Sequence, residues 1–456
     1  MGGVWTSVAD YVHSLGLDAY LVGGAVRDEL LGQTPRELDF VVPGVSHDEL
    51  RAALEPHGKV EDLVVAEQRV GVRLLPRDRA ARALQPQGIE FTPPRVERST
   101  GPGRHDFEIA ADGGISLEQD MARRDFTINA IAKRLETGEI LDPLHGRDDL
   151  EQRVLRTTGP TSFRDDPLRI VRGLRFVSQL GLDPDEDTLR QMREWAPQIE
   201  HVSGERIGGG LAADGMGELS KLLLGAHPAK ALRLARDTGV LVRVLPELAP
   251  AIGYRQQSDR QHLTLDEHVF AVVQAAADAG APLDVRLAAL LHDAGKPEAE
   301  REGGDHAALG AAAAGRALSR LRYPTRLRDY VVRLVREHPF APEGEPAAVD
   351  ARRFLARHGD RLALDLLAHR AADLAGKAVP QEEWDWLERF RTLVEQERTQ
   401  PHRLADLAVD GSDLIELGYA EGPALGRALQ TLLAEVVEEP ARNRRELLLG
   451  RARELL

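Results

Sequence analysis

Two carboxylates, Glu37 and Asp39, stand two residues apart in Arg36-Glu-Leu-Asp-Phe-Val-Val42, a run that reads as a strand. Alternation along a strand puts both on one face. Just upstream, Ala19-Tyr-Leu-Val-Gly-Gly-Ala-Val-Arg-Asp28 reads as a buried strand, a glycine turn and a helix over Ala25 to Leu31. Gly23 and Gly24 let the backbone close on a ligand. The helix start offers free N–H groups and a positive dipole end, which suit a phosphate. Arg27 and Asp28 fall in its first turn. Carboxylates beside a phosphate-binding turn suit a divalent cation held against a triphosphate. Each feature alone equally fits a structural turn and a solvated strand face.

A second group lies on a helix. In Phe163-Arg-Asp-Asp-Pro-Leu-Arg-Ile-Val-Arg-Gly-Leu-Arg-Phe176, Asp166, Arg169, Arg172 and Arg175 recur at three-residue steps. Ile170, Leu174 and Val177 lie between them on another face. One reading is an amphipathic helix with a solvated basic stripe and an ordinary Asp166–Arg169 ion pair. The other is a base reader. A carboxylate accepts and a guanidinium donates, so the pair mimics a Watson–Crick edge that matches cytosine and adenine and mismatches uracil and guanine. A third group runs His268, His292-Asp293, His306, His338, Asp373. Imidazole with carboxylate suits Mn²⁺, Ni²⁺, Co²⁺ or Fe better than Mg²⁺. The plain alternative is a helical domain that only holds RNA.

These groups need several cores to position them. The chain has 456 residues, which predicts two to four domains. Residues up to about Gln152 read as α/β, with a helix over His47 to Pro56 and strands at Leu63-Val-Val, Val70 to Leu75 and Gly88 to Thr92. From Arg153 the chain reads as helical. Pro93 to Gly114 has no hydrophobic period and reads as a mobile loop. Gly208 to Met216 reads as a glycine-rich insertion before a helix over Glu218 to Leu224. Cysteine is absent, which excludes disulfides, cysteine-bound zinc and thiol catalysis and fits a reducing compartment. The net charge of −15 argues against binding nucleic acid over the whole surface, and aromatics at 4% argue against broad stacking platforms. Neither a signal-peptide pattern nor a membrane span is read, so a cytoplasmic location is expected.

The glycine turn with Val-Arg-Asp and the acidic pair resembles the class II tRNA nucleotidyltransferases, which include CCA-adding enzymes and bacterial poly(A) polymerases. So do Arg123-Arg-Asp-Phe-Thr-Ile-Asn-Ala130, Asp165-Asp166-Pro167-Leu168-Arg169 and Val202-Ser-Gly-Glu-Arg-Ile207. Two family positions differ: Glu37 stands for an aspartate, and Asp165 for a glutamate. The histidine and aspartate series resembles the HD phosphohydrolase superfamily, whose metal set His268, His292, Asp293 and Asp373 match; His306 and His338 are similar to the extra histidines of binuclear members.

The resemblance implies an α+β fold: a polymerase-beta-like palm over 1–152, a helical neck over 153–255, an HD domain over 256–376 and a helical tail over 377–456. It implies Mg²⁺ in the head on Glu37 and Asp39, with Glu90 as third carboxylate. Gly23, Gly24, Arg27 and Arg124 would meet the triphosphate and Asp125 the ribose. Asp166 and Arg169 would read the base, with Arg172 and Arg175 binding phosphate or orienting that pair. A transition metal such as Ni²⁺, Mn²⁺ or Co²⁺ is implied for the HD site. The implied reaction adds or repairs the 3′-terminal CCA of tRNA from CTP and ATP without a nucleic-acid template. The alternatives are CC-only or A-only addition, a poly(A) polymerase, or an RNA-binding HD phosphohydrolase with an inactive head. The Pro93–Gly114 segment corresponds to the family's flexible loop and leans towards full CCA addition.

Overall fold

The computed structural model describes residues 6–35, 38–65, 68–99, 107–111, 114–209, 216–256, 262–340 and 344–456. It divides into two compact units, Met1–Pro246 with Leu318–Pro324, and Glu247–Ala317 with Thr325–Leu456.

The first unit is built on a mixed seven-stranded sheet in the order β3-β4-β5-β2-β1-β8-β9. Its strands are β1 (Tyr20–Val22), β2 (Asp39–Val41), β3 (Gly58–Val65), β4 (Gln68–Pro76), β5 (Ile89–Thr92), β8 (Ala132–Arg134) and β9 (Ile140–Leu141). Only β2 and β5 run parallel; the other neighbours are antiparallel. Strand alternation divides the apolar residues between the two faces. Leu21, Phe40, Val72, Leu74 and Phe91 join Leu50 and Leu54 of the helix His47–Leu54 in one core. Phe40 and Phe91 stack with centroids 5.6 Å apart. Val22 and Val41 point the other way, against Leu117 and Met121 of the helix Leu117–Ala122. Asp39 and Glu90 share that second face, because each alternates with a phenylalanine of the first core.

Pro93–Gly114 departs from the expected loop. Its described parts form an antiparallel ribbon of β6 (Arg95–Ser99) and β7 (Phe107–Ala111), in register from Arg95 opposite Ala111 to Ser99 opposite Phe107. Charged residues and glycines hid a pairing that main-chain hydrogen bonds carry whatever the side chains.

Beyond the sheet the chain is mostly helical. A short parallel pairing of Val154–Leu155 with Asp183–Pro184 flanks the helix Leu168–Leu180. That helix starts after Pro167 and stops at Gly181, whose φ of 69° is the left-handed conformation glycine tolerates. It buries Ile170, Val171, Leu174, Phe176 and Val177, as its apolar spacing predicts. Phe176 meets Phe126 edge-on at 5.8 Å. The glycines near 208 lie against the segment Leu318–Pro324. Gly209 N–H donates to Leu321 O at 2.9 Å, and a Cβ on Gly209 would fall 2.0 Å from Arg322 O. Residues 210–215 of the expected insertion lie outside the described residues.

The second unit is all helical, with cores around Leu355, Leu367, Phe390 and Val394 and around Leu414, Leu432, Val436 and Leu448. Trp386 stacks on Phe390 at 4.9 Å within the helix Gln381–Glu397. The last helix, Arg445–Leu455, buries Leu448 and Ala452 and keeps its charges outward. Among the described residues no helix is long and apolar enough to cross a membrane.

Candidate active site and metal centre

The glycine turn is shaped by an arginine. Gly23 has a φ of 71°, and a Cβ there would fall 2.6 Å from Arg124 Nη1; at Gly24 it would reach Arg27 Nη2 at 3.5 Å. The helix Gly24–Leu30 follows directly. Arg27 donates to Asp28 Oδ1 at 2.6 Å and to Asn129 Oδ1 at 2.6 Å. Three of the expected phosphate-side residues, Gly23, Gly24 and Arg124, are therefore in one place, with Arg27 beside them.

Asp39 and Glu90 are direct neighbours in the parallel register of β2 and β5. Carboxylate oxygens on one sheet face fit a hard divalent cation. Arg73, opposite Glu90 on β4, donates to it through Nε at 3.1 Å. Glu37 lies outside the described residues, and the described strand begins at Asp39.

Asp125 is buried and accepts from Phe126 N–H and Asn129 Nδ2 on Oδ1, both at 2.9 Å. Its Oδ2 takes a two-pronged grip from Arg172, Nε at 2.9 Å and Nη2 at 2.7 Å. Burial alone would raise this carboxyl, but Arg172 and the Asn129 hydrogen bond hold it well below the usual carboxylate range. Arg172 is likewise held upward, Asp125 and Glu218 outweighing its burial. Arg175 donates to Glu218 Oε1 at 3.2 Å and lies 4.4 Å over the Phe176 ring. Burial pushes Arg175 downward, against the pull of Glu218.

The expected base-reading pair sits at the start of the same helix, each partner held separately. Asp166 Oδ1 accepts from Leu168 N–H at 3.1 Å, and Oδ2 accepts from Arg206 Nη2 at 2.9 Å. Arg169 donates to the carbonyls of Arg123 at 2.9 Å and Arg124 at 3.3 Å, and to Ser162 Oγ at 3.2 Å. Its guanidinium thus fastens the helix Leu168–Leu180 to the Arg-Arg-Asp block.

In the second unit, His268, His292, Asp293 and Asp373 converge in a buried cluster. His268 Nε2 lies 3.4 Å from Asp293 Oδ2 and 3.3 Å from Asp373 Oδ1; His292 Nε2 lies 3.1 Å from Asp293 Oδ2. Ligand atoms of His268, His292 and Asp293 lie within 4.8 Å of one another, and so do those of a second group, Asp293, His306 and His338, which shares Asp293. The outer ring nitrogens are occupied: His268 Nδ1 at Gly376 O (3.1 Å), His292 Nδ1 at Ala289 O (2.8 Å) and His338 Nδ1 at Val335 O (2.6 Å). That fixes the tautomer with Nε2 facing the centre. His268 Nε2, His292 Nε2, both Asp293 oxygens and Asp373 Oδ1 are buried and make no hydrogen bond. Buried polar atoms left so are costly, and a cation at their focus satisfies them together. Lysine ammoniums stand close, Lys296 Nζ at 2.7 Å from Asp293 Oδ2 and Lys377 Nζ at 2.6 Å from Asp373 Oδ1. Burial, reinforced by His292, pushes His338 down to about 3, so its imidazole is neutral, as a ligand must be.

Comparison with known proteins covers the regions that carry both sites. Residues 19–156 match the family described as Poly A polymerase head domain, residues 181–252 the probable RNA and SrmB- binding site of polymerase A, and residues 265–388 the HD domain. The multifunctional CCA protein of Methylococcus capsulatus is 34% identical over 438 residues, spanning 91% of this chain and 93% of that protein. The chain belongs to the multifunctional CCA protein family. The corresponding protein of Azoarcus is 37% identical over 329 residues, covering 70% of this chain and 73% of the relative. A crystal structure of the Bacillus stearothermophilus CCA-adding enzyme in complex with CTP superposes with a TM-score of 0.67 at 26% identity, covering 98% and 95% of the two chains. The Thermotoga maritima CCA-adding enzyme complexed with tRNA shares the fold, with a TM-score of 0.59 at 21% identity over 98% and 94%.

The structure adds residues that sequence reasoning passed over. Asp120 is fully buried and binds Arg123 Nη2 at 2.7 Å, Arg124 Nη2 at 3.0 Å and Arg95 N–H at 3.2 Å, tying the ribbon to the Arg-Arg-Asp block. Its signal was available: it precedes the two arginines by three and four residues, one helical turn. His369, one turn before Asp373, is buried with its Nε2 making no hydrogen bond, and its ring lies 5.0 Å from that of His292. Arg73 and Glu218 are legible only in three dimensions.

Proposed function

We propose that this chain is a tRNA nucleotidyltransferase that adds or repairs the 3′-terminal CCA from CTP and ATP, without a nucleic-acid template. The observation that carries the reading is the in-register pair Asp39 and Glu90 on the sheet face beside the Gly23-Gly24 turn. The tRNA 3′-hydroxyl loses its proton and its oxygen bonds to the α-phosphorus, while the bond to the departing pyrophosphate breaks. Glu37, Asp39 and Glu90 would hold Mg²⁺, which supplies charge stabilisation and a more acidic hydroxyl when bound. Gly23, Gly24, Arg27 and Arg124 cradle the triphosphate, Asp125 orients the ribose, and Asp166 with Arg169 selects the base. Arg172 and Arg175 hold that frame in place.

The division into a head over 1–152, a neck over 153–255, an HD domain over 256–376 and a tail over 377–456 belongs to the same reading, as does a cytoplasmic location. Asp39→Ala is the direct test. CMP incorporation into tRNA lacking its CCA end is expected to vanish, and incorporation at the parent rate would refute the transferase site.

A second activity is favoured by the buried histidine–aspartate cluster. His268, His292, Asp293 and Asp373 would hold Ni²⁺, Mn²⁺ or Co²⁺ and support phosphohydrolysis, as their imidazole and carboxylate donors favour. Hydrolysis of 2′,3′-cyclic phosphates is expected to be lost in His292→Ala; unchanged hydrolysis would refute it.

A further inference from the structure

Arg206 comes from the Val202-Ser-Gly-Glu-Arg-Ile207 segment, and its guanidinium reaches forty positions back to Asp166 Oδ2, at 2.9 Å. Both side chains are mostly shielded, at 20% and 16% exposure. Arg206 is itself rigidly placed. It sits on the short helix Gly204–Ile207, and a Cβ on Gly204 would fall 2.2 Å from Arg320 O, so that turn is pressed against its neighbour. The guanidinium of Arg169, the other half of the base-reading pair, is occupied with the Arg123 and Arg124 carbonyls, and only its backbone N–H reaches Asp166, at the carbonyl oxygen 3.0 Å away.

We propose that Arg206 is the positioning residue that fixes the plane of the Asp166 carboxylate, and thereby the preference for bases whose amino group stands at the pyrimidine C4 or purine C6 position. The inference rests on the nucleotidyltransferase reading of the site. A carboxylate offers about four lone-pair directions over its two oxygens. Leu168 N–H occupies one on Oδ1 and Arg206 one on Oδ2. The remaining directions then point at a fixed locus, where a cytosine or adenine amino group donates and a uracil or guanine carbonyl meets another acceptor. Without Arg206 the carboxylate turns about its Cβ–Cγ bond, and a bridging water can adapt it to a carbonyl. Discrimination therefore falls more than catalysis does.

The experiment measures kcat and KM for CTP and UTP separately, with full-length protein and tRNA lacking its CCA end, in the parent, Arg206→Met and Arg206→Lys. The CTP-over-UTP ratio of kcat/KM is expected to fall roughly tenfold or more in Arg206→Met, the size of one lost base contact. KM for CTP should rise while kcat changes less, and Arg206→Lys should recover part of the ratio. Arg206→Gln carries the same expectation of a reduced ratio should the methionine variant not fold, as judged by its melting curve. An unchanged ratio, or equal losses on both nucleotides, overturns the proposal. A parent that incorporates no CMP at all sinks the transferase reading itself, which separates the two failures.

Discussion

The Arg172 guanidinium closes on one oxygen of Asp125 through Nε at 2.9 Å and Nη2 at 2.7 Å, and Asn129 ties the other oxygen to Arg27. One chain of charge-assisted hydrogen bonds thus links the glycine-turn helix to the helix Leu168–Leu180. Removing one end of such a buried pair leaves an uncompensated charge. Arg172→Met is expected to cost on the order of 3 kcal/mol of stability at neutral pH. The pH dependence has a definite sign. Asp125 is held below its unfolded value, so its contribution is complete above about pH 4 and is lost as the pH falls below that. In Arg172→Met burial is opposed only by the Asn129 hydrogen bond and the more distant Arg169 charge, so the carboxyl lies higher than in the parent and the acid-side loss should shrink. Urea midpoints at neutral pH and near pH 3 measure both effects; equal acid losses in parent and variant would contradict the account.

Gly23 and Gly24 should respond differently to the same methyl group. At Gly23 the added carbon meets Arg124 Nη1 at 2.6 Å and the backbone is left-handed; at Gly24 it meets Arg27 Nη2 at an ordinary 3.5 Å. Gly23→Ala is expected to raise KM for CTP by roughly tenfold or more by displacing an arginine from phosphate. Gly24→Ala should change it severalfold less. Steady-state CMP incorporation decides the order, and a larger effect at Gly24 would contradict it.

Asp120 binds both Arg123 and Arg124 from a fully buried position. Its carboxyl is lowered although burial opposes this, because the two guanidiniums outweigh the burial. Asp120→Ala is expected to lose roughly 3 to 5 kcal/mol of stability. Denaturant titration tests it; a loss under about 1 kcal/mol would mean that the two arginines find other partners.

Removing divalent metal should act on the second unit through stability. Five buried atoms of His268, His292, Asp293 and Asp373 make no hydrogen bond, two of them lying beside the Lys296 and Lys377 ammoniums, and all five gain a common partner when a divalent cation is bound. Adding Ni²⁺ or Mn²⁺ to chelator-treated protein is expected to raise a melting transition, and His292→Ala should abolish the rise. An equal rise in the variant would place the ion elsewhere.

Much of this architecture was legible because its signals are local. The run Ala19 to Asp28 carries its strand, turn and helix in sequence order, and Ile170, Leu174 and Val177 mark the buried stripe of their helix. His292 and Asp293 stand at the end of the helix Leu283–Leu291, adjacent in sequence as they are in the cluster. What was hidden depends on long-range pairing. The ribbon of Arg95–Ser99 with Phe107–Ala111 is held by main-chain hydrogen bonds, which leave little trace in hydrophobic period. Arg73 finds Glu90 through strand register, and Arg206 finds Asp166 across forty residues. The expected metal partner Glu37 lies outside the described residues, so that face of the site rests on Asp39 and Glu90.

The central claim is template-free CCA synthesis, and a primer-extension gel tests it most directly. The substrate is tRNA lacking its CCA end, given CTP alone, ATP alone, then both. The account predicts two additions with CTP and a third only when ATP joins. Two additions without a third would make this a CC-adding enzyme, and no addition under any condition would contradict the assignment of the Asp39–Glu90 face as a nucleotidyltransferase site.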